Sequence, residues 1–488
     1  MTTVDHPRPL VKPSTTTREE HDLLGNRSVP ADAYYGVHTV RAQENFPISG
    51  VPISVYPDLI AALAFVKQAG AFSNRDLGLL AEPKASAIAA ACGDLRDGLL
   101  HDQFVVDVIQ GGAGTSTNMN ANEVIANRAL EHLGHALGQY QHLHPVEDVN
   151  MSQSTNDVYP TAVKLALQFG IDRLLSQMEV LRGAFAAKSR EFDGMLKMGR
   201  TQMQDAVPMT LGQEFGTFAV MVGEDQERLE EARDLIRSIN LGGTAIGTGL
   251  NAHPDYARTV CRYLGELSGV RLETAPDLVE ATQDVGSFVQ LSGVLKRIAV
   301  KLSKMCNDLR LLSSGPRAGL AEINLPAVQA GSSIMPGKVN PVIPEVVNQV
   351  AFEVIGNDLT VTMAAEAGQL QLNAFEPIIA RSLFDSIDHL SAACGTLAVR
   401  CVGGITANAE FLRASVANSI GVVTALVPYL GYTAATDIAQ EALTTGRGVA
   451  DLVLAHGLLT REKLEDILGN PALLTSPRAM VDHTRETG

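Results

Sequence analysis

At 488 residues the chain exceeds what one compact core fills, so length alone implies two or three domains. It is 45% hydrophobic and 19% charged, as globular proteins are, and no apolar run reaches the roughly 18 residues of a membrane span. A net charge of -16 works against non-specific nucleic-acid binding, which relies on a basic surface. Five scattered cysteines (Cys92, Cys261, Cys306, Cys394, Cys401) show no C-x-x-C spacing. They read as reduced thiols of a cytoplasmic protein, neither a disulfide frame nor a zinc site.

The chain opens with a Thr- and Pro-rich stretch, Met1 to Thr17, that lacks the apolar core of a signal peptide and reads as a floppy tail. To about residue 155 it is broken by Pro, Gly and Tyr clusters such as "VPADAYYG". Helical periodicity then takes over. Leu167, Ile171, Leu174, Met178, Leu181 and Phe185 recur at intervals of 4, 3, 4, 3, 4. Phe288, Leu291, Leu295, Ile298, Leu302, Met305, Leu309 and Leu312 recur at 3, 4, 3, 4, 3, 4, 3. The second set is an a/d seam on a helix of roughly 50 Å at about 1.5 Å per residue. Such stripes are core, and helices this long call for a bundle completed by other subunits.

After about residue 410 come shorter helices and a polar tail. Strand patterns are scarce, and there is no Walker loop, HExxH, GxSxG or strand-linked GxGxxG. The fragment "GGTAIGTG" (242–249) is a glycine-rich loop without a dinucleotide-site context. The domains expected are a disordered tail (1–18), an N-terminal domain (19–155), a central helical bundle (156–410) and a small C-terminal helical domain (411–488).

Four stretches are dense in small hydrogen-bonding side chains. "QGGAGTSTNMNANE" (110–123) carries Thr115, and "NMSQSTNDVYP" (150–160) carries Ser154, Thr155 and Asn156. "MGRTQMQDAVPMT" (198–210) carries Arg200, Thr201 and Gln202. "AGSSIMPGKVNPVIPE" (330–345) brackets Ser332 and Ser333 with glycines and adds Lys338 and Asn340. Each residue alone reads as a helix cap. Together, hydroxyls, amides and helix N-termini make a receptor for carboxylates.

If a dicarboxylate sits among them, removing the proton beside one carboxylate gives a doubly charged aci-carboxylate. Prearranged neutral donors stabilise such a species, at about 10²–10³-fold each in comparable oxyanion sites. A serine whose alkoxide is stabilised by loop N–H groups suits the base, with Lys338 adding positive potential. No His–Asp partner accompanies Ser332, so a serine-hydrolase triad is the weaker account.

The run "GSSIMPGKVNP" (331–341) resembles the signature of the fumarase/aspartase superfamily, whose members eliminate fumarate from substituted succinates. The similarity runs from about Glu19 into the C-terminal segment. "EEHDLLGNRSVPADAYYGVHTVRAQENF" (19–46) and "NPVIPEVVNQVAFEVIGND" (340–358) are most similar to its aspartase branch. The resemblance implies a mainly α, three-domain superfamily fold whose central long-helix bundle forms a twenty-helix core in a homotetramer. Each site would draw loops from three subunits.

The implied activity is reversible deamination of L-aspartate to fumarate and ammonia, with a class II fumarate hydratase as the alternative. No organic cofactor is implied; an activating divalent cation such as Mg2+ is not required for the chemistry. Neither nucleic acid nor membrane is an implied partner, and the implied location is cytoplasmic.

Residue by residue, Ser332 matches the family's catalytic base. Lys338, Asn340 and Thr201 match the residues binding the α-carboxylate. Thr115, Ser154, Thr155 and Ser333 match those on the β-carboxylate, and Asn156 matches a ligand of the amino group. Gln202 departs from fumarases and some aspartases, which have His there, often linked to a glutamate matching Glu345. Glutamine can hydrogen-bond an amine or a carboxylate but cannot carry a proton at neutral pH, which favours ammonia-lyase over hydratase. Arg27 and Arg41 match arginines of the aspartase N-terminal segment and read first as salt bridges. His132, His135, His142 and His144 read as structural or surface residues, although some family members have a second anion site near 144–150.

Overall fold

The computed structural model describes residues 16–475. It is mainly α. Its long helices are Pro57–Asp76, Glu82–Arg96, Thr115–His132, Thr155–Glu191, Leu211–Leu235, Gly286–Leu312, Val342–Glu366 and Glu376–Arg400. Among the described residues, strands form only four two-stranded ribbons. By compactness the chain divides into two units. One holds the described residues up to Arg173 with Arg228–Lys296 and Glu353–Asp388; the other holds Leu174–Glu227, Arg297–Phe352 and the described residues from His389 onward.

The expected N-terminal tail lies outside the described residues except at its end, where Thr17 and Arg18 open the strand Thr17–Asp22. That strand pairs antiparallel with Gly25–Pro30, and Arg18 donates to the carbonyls of Ala33 (2.7 Å) and Tyr35 (2.8 Å). The helix Val37–Asn45 follows and starts against two buried carboxylates. Glu123 accepts from the N–H groups of Gly36 and His38, both at 2.8 Å, and from the Thr39 hydroxyl at 2.7 Å. Glu20 accepts from the Val37 N–H at 2.9 Å. Carboxylates at a helix N-terminus satisfy its orphan donors and meet the positive end of its dipole. Gly36 lets the two carboxylates approach closely, since a Cβ there would lie 2.4 Å from Glu20 Oε2 and displace it.

Within the same unit the helix Pro57–Asp76 starts on a proline, whose missing N–H costs nothing at that position. It is buried on nearly every side, from Leu59 and Ile60 through Val66 to Ala71. Lys67 lies in the middle of that run, wholly buried.

The second unit is organised around the hairpin Leu196–Thr201 with Gln204–Thr210. Met198 of the hairpin packs in one apolar cluster with Val416, Leu426, Ile438, Leu452 and Ile467 from the C-terminal helices. Gly421 permits the approach, since a Cβ there would sit 2.4 Å from the Ala206 carbonyl oxygen. Buried charge ties the hairpin down further. Lys197 pairs with Glu214 and lies 2.9 Å from Glu322, which also pairs with Arg200.

Both heptad stripes fall on helices, and both are covered within the chain itself. The first lies on Thr155–Glu191, 37 residues long. The second lies on Gly286–Leu312, 27 residues. The latter is about 40 Å at 1.5 Å per residue, shorter than expected. Ser313, Ser314, Gly315 and Pro316 follow it, and Gly315 adopts φ +131°. Every stripe residue is at most 5% exposed within the chain itself, so neither stripe needs a partner subunit to cover it. An uncovered apolar face lies on Val342–Glu366, where Phe352, Leu359 and Met363 are more than 60% exposed. No single helix among the described residues is long and apolar enough to cross a membrane.

Candidate active site

In the first unit the sequence "STND" builds a capping box at the start of Thr155–Glu191. Asp157 Oδ1 accepts from the Ser154 N–H at 2.9 Å, and Ser154 Oγ accepts from the Asn156 N–H at 3.3 Å. Capping uses the oxygen of Ser154 and leaves its hydroxyl proton available to a substrate oxygen. Thr155 is in the same condition, with Oγ1 accepting from Asn118 Nδ2 at 3.1 Å. Asn118 stands one turn beyond Thr115, so it joins the 115 helix to the 154–156 loop. Thr115 itself donates its hydroxyl to the Gly112 carbonyl at 2.8 Å and must rotate to serve a ligand.

Behind these donors lies a polar cluster that sequence reasoning missed. Lys67 Nζ donates to Asn150 Oδ1 at 2.8 Å and to Gln153 Oε1 at 3.0 Å. Asn118 and Asn122 also donate to Asn150 Oδ1, each at 3.1 Å. Burial pulls the Lys67 ammonium down to about 7, partly opposed by the Asp157 charge. Burial pushes Asp157 up to about 6 against the backbone N–H groups of Ser154, Thr244 and Gly242. The cluster thus fixes the loop from behind. One signal was available, a lone lysine inside the apolar run "LIAALAFVKQAGAF".

In the second unit Thr201 and Gln202 do not lie in a loop at a helix mouth. Thr201 pairs with Gln204 across a two-residue turn, and Gln202 and Met203 adopt φ +53° and +65°. Two successive left-handed residues define the I′ turn that matches hairpin twist, normally built from Asn-Gly. Lacking that signal, the hairpin is hard to see in the sequence. Its exposed tip presents Thr201 and Gln202 outward.

The 331–340 loop closes on itself. The Gly331 N–H donates to the Lys338 carbonyl at 2.8 Å, and Asn340 Nδ2 donates to the Gly331 carbonyl at 2.8 Å. A Cβ on Gly331 would lie 2.5 Å from the Lys338 carbonyl oxygen, so that glycine is required. Inside the turn, Ser332 Oγ accepts from the N–H groups of Ile334 (3.2 Å) and Met335 (3.0 Å). Two N–H groups aimed at one hydroxyl oxygen stabilise its alkoxide more than its neutral form. Ser333 and Lys338 are exposed, and the Lys338 ammonium has no ion pair among the described residues.

Thr115, Ser154, Thr155 and Asn156 therefore share one unit, and Thr201, Gln202, Ser332, Ser333, Lys338 and Asn340 share the other. The N-terminal arginines are salt-bridged. Arg41 holds Asp22 through two bonds (2.7 and 2.8 Å) and Arg27 holds Glu44 at 3.2 Å. The histidines do not converge. His132 pairs with Asp94, His135 and His142 stack at 3.8 Å, and His144 caps the turn beginning at Pro145. Among the described residues no three His, Cys, Asp or Glu side chains are placed to hold a metal ion. All five cysteines are buried and unpaired.

Comparison with known proteins gives the family. A family model described as "Lyase" matches residues 25–356, and one described as "Fumarase C C-terminus" matches 422–476. The aspartate ammonia-lyase of Pseudomonas aeruginosa is 61% identical over 469 residues, covering 96% of this chain and 99% of its own. The cobalt-bound crystal structure of a fumarate lyase:delta crystallin from Brucella melitensis superposes with a TM-score of 0.92 at 58% identity. It covers 95% of this chain and 100% of that one. The class II fumarase of Schistosoma mansoni has a TM-score of 0.89 at 33% identity, covering 93% and 98%. The chain belongs to the fumarase/aspartase superfamily of lyases. Its place there is among the carbon–nitrogen lyases.

Proposed function

We propose that this enzyme reversibly deaminates L-aspartate to fumarate and ammonia. The observation that carries the reading is Ser332, whose Oγ accepts two loop N–H groups in a turn that also bears the exposed Lys338. In the forward direction the Ser332 alkoxide removes a proton from the carbon beside the β-carboxylate. The electron pair moves into that carboxylate and forms the aci-carboxylate. Thr115, Ser154, Thr155 and Ser333 donate to its oxygens. Its collapse forms the carbon–carbon double bond and expels the amine, which entered as ammonium, as ammonia. Lys338, Asn340 and Thr201 hold the α-carboxylate, while Asn156 and Gln202 face the amino group. The steps balance without an organic cofactor.

The 61% identity to an aspartate ammonia-lyase, against 33% to a fumarase, supports ammonia over water as the leaving group. Gln202 supports it too. Hydroxide leaves only with a proton supplied, which Gln202 cannot give, whereas an ammonium departs carrying its own. Turnover of aspartate is expected to exceed that of malate at least about a thousandfold in kcat/KM, read as fumarate absorbance. Faster hydration than amination of fumarate at saturating ammonia would sink the proposal.

A homotetramer with each site shared by three subunits completes it, supported by the uncovered apolar face of Val342–Glu366. Mixing inactive Ser332→Ala and Thr201→Val enzymes should then restore part of the activity, because some mixed sites receive only intact loops. No recovery after verified subunit exchange would rule out sharing of these two residues.

A further inference from the structure

The glycine-rich stretch 242–249 meets the donor loop directly. Asn156 Nδ2 donates to the Ala245 carbonyl at 2.7 Å, and Asn240 Nδ2 donates to the Asn156 carbonyl at 2.9 Å. A carbonyl oxygen can only accept, so the end of the Asn156 amide that meets Ala245 must be its NH2 group. The amide oxygen is thereby turned the other way.

The loop that presents Ala245 is heavily constrained. Asp157, fully buried, takes the N–H groups of Gly242 (3.0 Å) and Thr244 (2.9 Å) on Oδ2 while its Oδ1 holds Ser154. Thr244 adopts φ +54°, and its hydroxyl donates to the Leu250 carbonyl at 3.0 Å. A β-branched residue in the left-handed region is an outlier that persists only where its surroundings over-determine it, as at functional sites. Two glycines allow the packing. A Cβ would lie 2.5 Å from Ala257 Cβ at Gly242 and 2.2 Å from the Leu278 carbonyl oxygen at Gly247.

We infer that the 242–249 loop determines specificity: its Ala245 carbonyl locks the Asn156 amide with the oxygen facing the substrate, as an acceptor for the ammonium group. This rests on the reading of Asn156 as the amine ligand. An ammonium has three donors and no acceptor, so a flipped amide would meet it donor to donor. A hydroxyl both donates and accepts and is indifferent to the flip. A dicarboxylate with no amine does not engage this device at all.

Thr244→Gly, which removes the hydroxyl anchor and relaxes the backbone, and Gly247→Ala, which pushes the loop off Leu278, test the inference in the full-length enzyme. Aspartate KM is compared with the inhibition constant of succinate, the same dicarboxylate without the amine. Aspartate should weaken about tenfold, as for a lost hydrogen bond to a charged group. Succinate should stay within about twofold. If Gly247→Ala does not fold, Thr244→Gly decides alone. With the wild type active on aspartate, equal weakening of both ligands, or of neither, overturns this inference alone. A wild type that turns over no aspartate overturns the proposed function and the inference together.

Discussion

Ser332→Ala is expected to lower kcat by about 10³-fold or more, near the upper part of the range for loss of a general base. The change removes one oxygen and leaves the loop intact, because its closure depends on the bonds Gly331 N–H to Lys338 and Asn340 to Gly331. Aspartate affinity and the size of the assembly should therefore hold, and only the proton-removing step should fail. The N–H groups of Ile334 and Met335 would remain in place with no alkoxide to stabilise. Aspartate binding by calorimetry and assembly size by light scattering separate this outcome from misfolding. Retention of a substantial fraction of kcat would show that another group takes the proton.

Lys338→Met should reduce affinity and rate together. The ammonium is exposed on the 331–340 loop with no ion pair among the described residues, so no other acid competes for it before substrate arrives. In the proposed mechanism the ammonium pairs with the substrate carboxylate away from water, and removing one partner of such a pair costs about 3–5 kcal/mol. At about 1.36 kcal/mol per tenfold, kcat/KM should fall by at least two orders of magnitude. Methionine keeps the bulk of the side chain, so the loss reports charge. An unchanged kcat/KM would mean that Lys338 faces solvent throughout the reaction.

Some of the candidate site's local geometry was legible because its parts are contiguous. In "GSSIMPGKVNP" the glycines, the serine pair and the lysine fall within a dozen residues, and the turn they make is closed by neighbours in sequence. The same holds for "STND", whose capping box is written in four consecutive residues. Long helices were legible from the spacing of Leu167 to Phe185 and of Phe288 to Leu312, since 3.6-residue periodicity is a local property.

Three features were not legible, each for a different reason. The hairpin tip at Gln202 and Met203 adopts left-handed backbone that neither residue type favours, and the buried cluster behind Lys197 and Glu322 stabilises it from outside the turn. The heptad seams announced apolar faces without saying what covers them. Spacing shows that a face must be buried, and only packing shows that the chain buries it unaided. Lys67 reaches Asn150 and Gln153 across more than 80 positions, and Asn156 reaches Ala245 across 89. Local sequence determines what each short segment can donate, accept or bend into. Which donors meet, and which way the Asn156 amide points, is decided by contacts between distant segments, because a hydrogen bond is satisfied by proximity in space and leaves no spacing rule along the chain.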